Sequence, residues 1–202
     1  MRRVRCGPLR ARLLMPPLAL LLAACAATDV PPPTDAADAA SPFAGCAALS
    51  APAPAVSAAS TATASLPDLS LPCFTGGGPV RLAALRGPAV ISLWASWCPP
   101  CREELPIMQE LADATAGRLQ VIGVDTKDSR DAGASFAADH GISFPTLFDP
   151  DQKLLTAVGK VNLPVTVFVS AAGETFVYTG EALDKRALGG LVRAHTGVAV
   201  AG

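Results

Sequence analysis

The run AVISLW, Ala89 to Trp94, passes directly into ASWCPPCREELP, and this junction restricts the fold more than anything else in the 202-residue chain. A near-continuous apolar run suits a strand buried on both faces. After the cysteines, Leu105, Met108, Leu111 and Ala112 recur at helical spacing up to a stop near Gly117. Strand followed at once by helix is the βα unit of a parallel sheet. The rest of the pattern agrees: LQVIGVD (Leu119 to Asp125) reads as a second buried strand, Arg130 to His140 as a helix closed by Gly141, and FPTLFDPDQKLL as a short strand with a turn at Asp149-Pro150-Asp151. VTVFVS and ETFVYTG read as an antiparallel hairpin, and Asp184 to His195 as a last helix packing Leu188, Leu191 and Val192. Upstream, LPDLSLPCF and PVRLAAL flank Gly76-Gly77-Gly78 as two short strands. The expected domain is therefore α/β: a hairpin, then βα, βα and ββα around a central mixed sheet flanked by helices.

If Cys98 caps the helix that follows the buried strand, its sulfur faces unpaired backbone N–H groups and the positive end of the helix dipole, and both favour the thiolate. Cys101, one turn further in, can attack a mixed disulfide formed at Cys98, which makes the pair a reversible dithiol switch. Pro99 and Pro100 have no N–H, so only the amide of Cys101 among those three can point at the Cys98 sulfur. Less thiolate stabilisation follows, hence a moderately reducing pair. The competing readings are half a zinc site and a purely structural bond. Zinc lacks ligands, since His140 and His195 have no partner spacing and fall at predicted helix ends. A bond between residues this close closes too short a loop to stabilise much.

The N-terminus reads as a targeting signal. Arg2, Arg3, Arg5, Arg10 and Arg12 precede an apolar stretch from Leu13 to Ala24 that is too short to span a bilayer comfortably. The stretch ends in Leu22-Ala23-Ala24-Cys25, which resembles the lipobox of bacterial lipoproteins, with Cys25 as the lipidated residue and ordinary cleavage nearby as the alternative. Arg2-Arg3 leaves the export route, Sec or Tat, open. Loss of residues 1–24 would remove five of the 16 basic side chains and none of the 17 acidic ones, leaving no basic patch to argue for nucleic acid. Residues 25–65, mostly Ala, Pro, Ser and Thr, have too few large apolar groups to form a core and are expected to be a flexible tether to a folded domain at 66–197.

Of the six cysteines, Cys6 leaves with the signal and Cys25 is the proposed lipid site. Once Cys98 and Cys101 are paired, Cys46 and Cys73 are the thiols left over, and in an exported chain they are expected to form a structural disulfide. The rival is a second redox pair relaying electrons to Cys98.

SLWASWCPPCREELP resembles the active-site segment of exported, membrane-anchored thiol-disulfide oxidoreductases of the TlpA, ResA and CcmG type, and the similarity runs from about Leu66 to His195 through VIGVD, FPTLFDPD and NLPVTVFVSAAG. The resemblance implies the thioredoxin fold, with Cys98 as nucleophile and Cys101 as resolving cysteine. It also implies a cis Leu163-Pro164 bond facing the cysteines, with the Leu163 backbone pairing with a substrate chain; an ordinary trans proline is the alternative. Asp128 falls about where family members often carry an acidic residue. It is read chiefly as the N-cap of the next helix and secondarily as a group assisting proton transfer at Cys101. Trp97 is expected on the docking face and Trp94 in the core. Glu103 and Glu104 are read as helix-stabilising, and Pro106 as kinking the helix without ending it.

The function expected is disulfide exchange with cysteines of other exported proteins, more as reductant than as oxidant, by a monomer tethered outside the cytoplasm. A membrane redox protein would be its partner, and no bound cofactor or metal is needed. Cytochrome c maturation is one candidate pathway. Three competing functions stand beside it: an oxidising disulfide donor on the same fold, a thiol peroxidase, and a metal carrier using the CPPC thiols. The peroxidase reading lacks the Pro-x-x-x-Thr/Ser-x-x-Cys context.

Overall fold

Strand β3, Ala89–Trp94, is buried along its whole length and forms the centre of a five-stranded sheet in the order β5-β4-β3-β6-β7. The computed structural model describes residues 41–50 and 65–200. The expected signal at 1–24, the lipid site Cys25 and residues 26–40 and 51–64 of the expected tether lie outside the described residues.

Two short strands, β1 (Ser70–Leu71) and β2 (Val80–Arg81), pair antiparallel across the glycine turn. β3 then leads into helix α1 (Pro99–Ala114), followed by β4 (Gln120–Thr126), α2 (Arg130–His140), β5 (Thr146–Asp149) and the short α3 (Lys153–Ala157). The chain closes with the hairpin β6 (Val165–Val169) and β7 (Thr175–Tyr178), then α4 (Lys185–Thr196). β4 and β5 run parallel to β3, whereas β6 pairs antiparallel with it, so the sheet is mixed as expected.

Because side chains alternate across a sheet, the two faces can be read from register. Ile91, Leu93, Ile122, Val124, Leu147, Val165, Val167 and Val169 point to one face, beneath the β1–β2 hairpin and α3. Val90, Trp94, Val121 and Phe168 point to the other, where α1 supplies Leu105, Met108 and Leu111, α2 Phe136 and α4 Leu188 and Val192. α1 continues through Pro106.

Part of the segment expected as tether, residues 43–49, packs against the domain. Phe43, Cys46 and Leu49 are buried, Ala44 donates its N–H to the carbonyl of Ser143 at 2.7 Å, and residues Ala47–Ser50 form a turn of 3-10 helix against β2. Cys46 is disulfide-bonded to Cys73, whose own backbone bridges Leu147 at the edge of β5. Two large apolar groups and a covalent bond hold this piece, a local cue that the surrounding Ala/Pro-rich composition hides. At the other end, Val198 and Val200 pack against the core beyond the expected boundary at residue 197.

Candidate functional site

β3 ends at Trp94, and the turn Ala95–Trp97 delivers the chain to Cys98 at the N-cap of α1. The prolines at the first two helical positions have no N–H to leave unsatisfied, so they suit the start of the helix. The Cys98 sulfur therefore receives one backbone donor from this turn, the N–H of Cys101 at 3.3 Å. Cys98 and Cys101 are joined as a disulfide with Cα atoms 5.3 Å apart. In this oxidised form both are buried, at 3% and 1% exposure, so Cys98 is less accessible than its place at a helix end led one to expect.

The neighbours named from sequence are placed as follows. Trp97 is 54% exposed, its indole N–H donating to the carbonyl of Lys127 at 2.8 Å, while Trp94 is fully buried. The Leu163–Pro164 bond is cis, as is the unforeseen Gly87–Pro88 bond. Trp97, Lys127, Gln152, Val161 and Leu163 contribute to one groove of about 310 Å³, which brings the tryptophan and the Leu163 segment together. A larger cavity, 630 Å³, lies between α1 and α4 and contains neither cysteine.

Asp128 is not the cap of α2. Ser129 holds that position, its hydroxyl accepting from Ala132 N at 3.2 Å. Lys127 turns the chain through a left-handed conformation (φ 56°), which leaves Asp128 one residue short of the cap and directs its carboxylate to the cysteine loop. There one oxygen accepts from Ser96 N at 2.5 Å and the other from Ser129 N at 2.8 Å.

Two buried carboxyls were misjudged or missed. Glu103 is exposed, but Glu104 is 1% exposed and accepts from the Thr166 hydroxyl at 3.0 Å and from Leu183 N at 3.1 Å. Burial pushes its pKa above the ordinary value, and the two hydrogen bonds oppose that rise. The signal was in the spacing: Cys101, Glu104, Leu105, Met108 and Leu111 form one buried stripe at three- and four-residue steps. Asp125, at the end of β4, is fully buried and pushed up to about 8 by burial first and then by the neighbouring Asp128, with Arg130 opposing. Its place in a run that reads as core strand gave no sequence cue to a special role.

Chemically, a paired dithiol at a helix N-terminus, next in sequence to a tryptophan that lines an open groove of mixed polar and apolar character, is suited to exchange with another disulfide or dithiol. Among the described residues, no three His, Cys, Asp or Glu side chains cluster in a way that could hold a metal ion. The AhpC/TSA family model matches residues 62–176, more than half of the chain. The chain belongs to the AhpC/TSA family. Its fold is thioredoxin-like: it superposes on the crystal structure of a secreted Mycobacterium tuberculosis disulfide oxidoreductase homologous to E. coli DsbE with a TM-score of 0.57 and 27% identity, covering 63% of this chain and 96% of that one. It is 40% identical over 92 residues to a thiol:disulfide interchange protein DsbE homolog of Paracoccus denitrificans, covering 44% of this chain and 49% of that protein. It is also 29% identical over 109 residues to the thiol-disulfide oxidoreductase ResA of Bacillus subtilis, covering 52% of this chain and 61% of ResA. The chain thus aligns with about half to three fifths of the length of these curated relatives.

Proposed function

We propose that this protein is a thiol-disulfide oxidoreductase of the DsbE/ResA type that exchanges disulfides with exported proteins through Cys98 and Cys101, acting as reductant. The observation that carries the reading is the position of Cys98 as the N-cap of α1, with its sulfur against the Cys101 amide. In the reducing direction the Cys98 thiolate attacks a substrate disulfide, forming a mixed disulfide and expelling one substrate thiolate. The Cys101 thiolate then attacks the Cys98 sulfur, the second substrate thiolate leaves, and the Cys98–Cys101 bond closes. Two electrons pass to the substrate, and its two thiolates take up the protons lost by the two cysteines.

The direction rests on the count of donors. With Pro99 and Pro100 supplying none, the thiolate at Cys98 gains less from the helix start than it would beside ordinary residues. The groove between Trp97 and Leu163 is the docking surface in this reading, and Asp128 acts on the cysteine loop through Ser96. We further propose an extracytoplasmic location with a lipid on Cys25. Support comes from the apolar, arginine-led N-terminus and from similarity to a neighbour described as secreted. Among the described residues no helix is long and apolar enough to cross a membrane.

Reduction of insulin by the prereduced protein, followed by determination of the Cys98–Cys101 reduction potential against glutathione, tests both parts. Turnover with a potential near that of thioredoxin is expected. No reduction of any protein disulfide would reject exchange, and a potential at the strongly oxidising end would reverse the direction.

A further inference from the structure

Among the described residues, the only non-glycine positions with a left-handed backbone are Lys127 (φ 56°) and Gln152 (φ 59°), and both line the groove that also contains Trp97 and Leu163. A residue with a Cβ enters that region under strain, so two of them at one surface must be held there by the chain around them. One atom holds both. The carbonyl oxygen of Asp149, the last residue of β5, accepts from Lys127 N at 3.1 Å and from Gln152 N at 3.2 Å. The buried side chain of the same residue accepts from Lys153 N and Leu154 N, each at 2.9 Å, which fixes the start of α3. Trp97 joins this set through the Lys127 carbonyl, which accepts from its indole N–H at 2.8 Å. One wall of the groove is therefore built before any substrate arrives.

That wall is positively charged. Lys127 is the only charged residue lining the groove, and among the described residues it enters no ion pair. Lys160, next in the chain to the lining residue Val161, is likewise outside every ion pair among the described residues. The acids adjoining the lining residues in sequence are already engaged: Asp128 by Ser96 N and Ser129 N, and Asp151 by Lys153 at 3.0 Å. Beside this charge lies open apolar area, with Val161 83% exposed and Trp97 54%.

We propose that the groove selects an extended segment of a partner protein that carries an acidic side chain close in sequence to its disulfide cysteine, and that Lys127 sets this preference. The selection rests on the thiol-disulfide reading above and names its substrate class. The acid meets the Lys127 ammonium, an apolar neighbour covers Val161 and the Trp97 ring, and the Gln152 amide offers a donor and an acceptor to the segment's backbone. A basic residue in the acid's place meets a like charge. The exchange chemistry is unchanged: the Cys98 and Cys101 thiols are oxidised to their disulfide, and the substrate disulfide is reduced to two thiols.

Three short peptides test the selection. Each has a central cysteine held as a mixed disulfide with mercaptoethanol, and they differ only in carrying Asp, Asn or Lys on both sides of it. Release of the peptide thiol by the prereduced protein is measured, and each rate is divided by that with dithiothreitol, which removes the peptide's own reactivity. The wild type is expected to favour the Asp peptide over the Lys peptide by about threefold or more at low ionic strength. The ratio should fall towards one at high salt. Lys127→Glu should reverse the order, and Lys127→Gln, which keeps the test usable if the reversed charge does not fold, should bring the ratio near one. Arg193→Glu makes the same charge change on α4, away from the groove, and should keep the wild-type ratio. Equal rates for the three peptides in the wild type, or a ratio that Lys127→Glu leaves in place, overturns the proposal. So does an Arg193→Glu shift as large as that of Lys127→Glu, which would assign the preference to the field of the whole protein. A protein that reduces insulin and none of the peptides takes no extended segment, which also overturns the selection. One that reduces neither overturns the exchange reading itself.

Discussion

The two faces of the central sheet solve the same packing problem with different chemistry. Beneath the hairpin and α3, β3, β4 and β6 present mainly aliphatic side chains, the buried Thr126 at the end of β4 being satisfied by the Val124 carbonyl, and the cover is locked by the Cys46–Cys73 bond across a separation of 27 residues. On the α1 face the same strands present Ser92, Thr166, Gly123 and Asp125 between apolar neighbours, α1 adds Glu104, and the Trp94 indole N–H finds no acceptor among the described residues. That face carries Cys98 and Cys101, bonded across a separation of only 3. Buried polar groups destabilise unless satisfied, so a fold concentrates them where a function needs them. One face is built for stability and the other for reaction.

The widest separation between the faces should appear in activity. Cys98→Ser is expected to lower insulin reduction to the uncatalysed rate, while Cys101→Ala accumulates mixed disulfides with substrate that only an added thiol releases. The double variant Cys46→Ala/Cys73→Ala should retain exchange. Equal losses in Cys98→Ser and in Cys46→Ala/Cys73→Ala would erase the division of labour and revive a relay between the pairs.

In stability the order reverses. The chain-entropy estimate for the 27-residue separation is about 3.5 kcal/mol, against about 1.5 to 2 kcal/mol for the CPPC loop. Urea unfolding of each double alanine variant, compared with the oxidised wild type, measures both. Mild reduction should open Cys98–Cys101 first and leave Cys46–Cys73 intact; the opposite order would remove the staple from its role.

The pH dependence of folding sharpens the contrast because both shifted core carboxyls lie on the reactive face. Asp125 has a folded-state pKa of about 8, far above its unfolded value, so folding takes up a proton between the two. Its contribution is fully present below the unfolded pKa, near 4, and is lost as pH rises towards 8, beyond which the loss is complete. Glu104 is shifted in the same direction. Asp125→Asn should therefore gain stability over the wild type progressively from pH 4 to pH 8, with little difference at the acid end. A gap that stays constant over that range would mean that the buried carboxyl ionises normally.

Glu104 gives a smaller effect of a different kind. Its two oxygens serve one donor on β6 and one before α4, so Glu104→Ala strands both and should cost about 2 to 3 kcal/mol in chemical unfolding. Glu104→Gln should cost less, because the amide oxygen can accept from Leu183 N while the Thr166 hydroxyl turns to accept from the amide nitrogen. Equal losses in the two variants would show that shape matters here more than hydrogen bonding.

The apolar face was easier to read in the sequence than the reactive one. Continuous runs such as AVISLW and VTVFVS declare a buried strand whichever neighbour covers it, and the CPPC junction set the order of strand and helix. Asp128 was located in the correct loop but given the wrong bonds. The left-handed turn at Lys127 shifts the cap to Ser129, and a one-residue shift of this kind leaves no mark in composition. Glu104 could have been placed in the core by its three-residue step from Cys101. Asp125 could not, because it stands in a run that reads as core strand and its burial under Gly133 is settled only when α2 packs against β4. The packing of Ser41–Ser50 was hidden for a similar reason: Phe43 and Cys46 act at long range, through Phe74 and Cys73.

Trp97 offers the finest division between the faces, since it belongs to the reactive side yet contributes little to the core. More than half exposed, it is held by a single hydrogen bond to the Lys127 carbonyl, and Trp97→Ala should change stability by no more than about 1 kcal/mol. Its ring forms one wall of the groove that also contains Leu163, and a large aromatic at the edge of a docking surface supplies contact area to a protein partner that a small thiol cannot use. The expected result is selective: exchange with insulin slows severalfold, while exchange with glutathione is nearly unaffected. If both slow together, the indole acts on Cys98 itself, through the turn it anchors. If neither slows, the substrate chain approaches Cys98 from outside this groove.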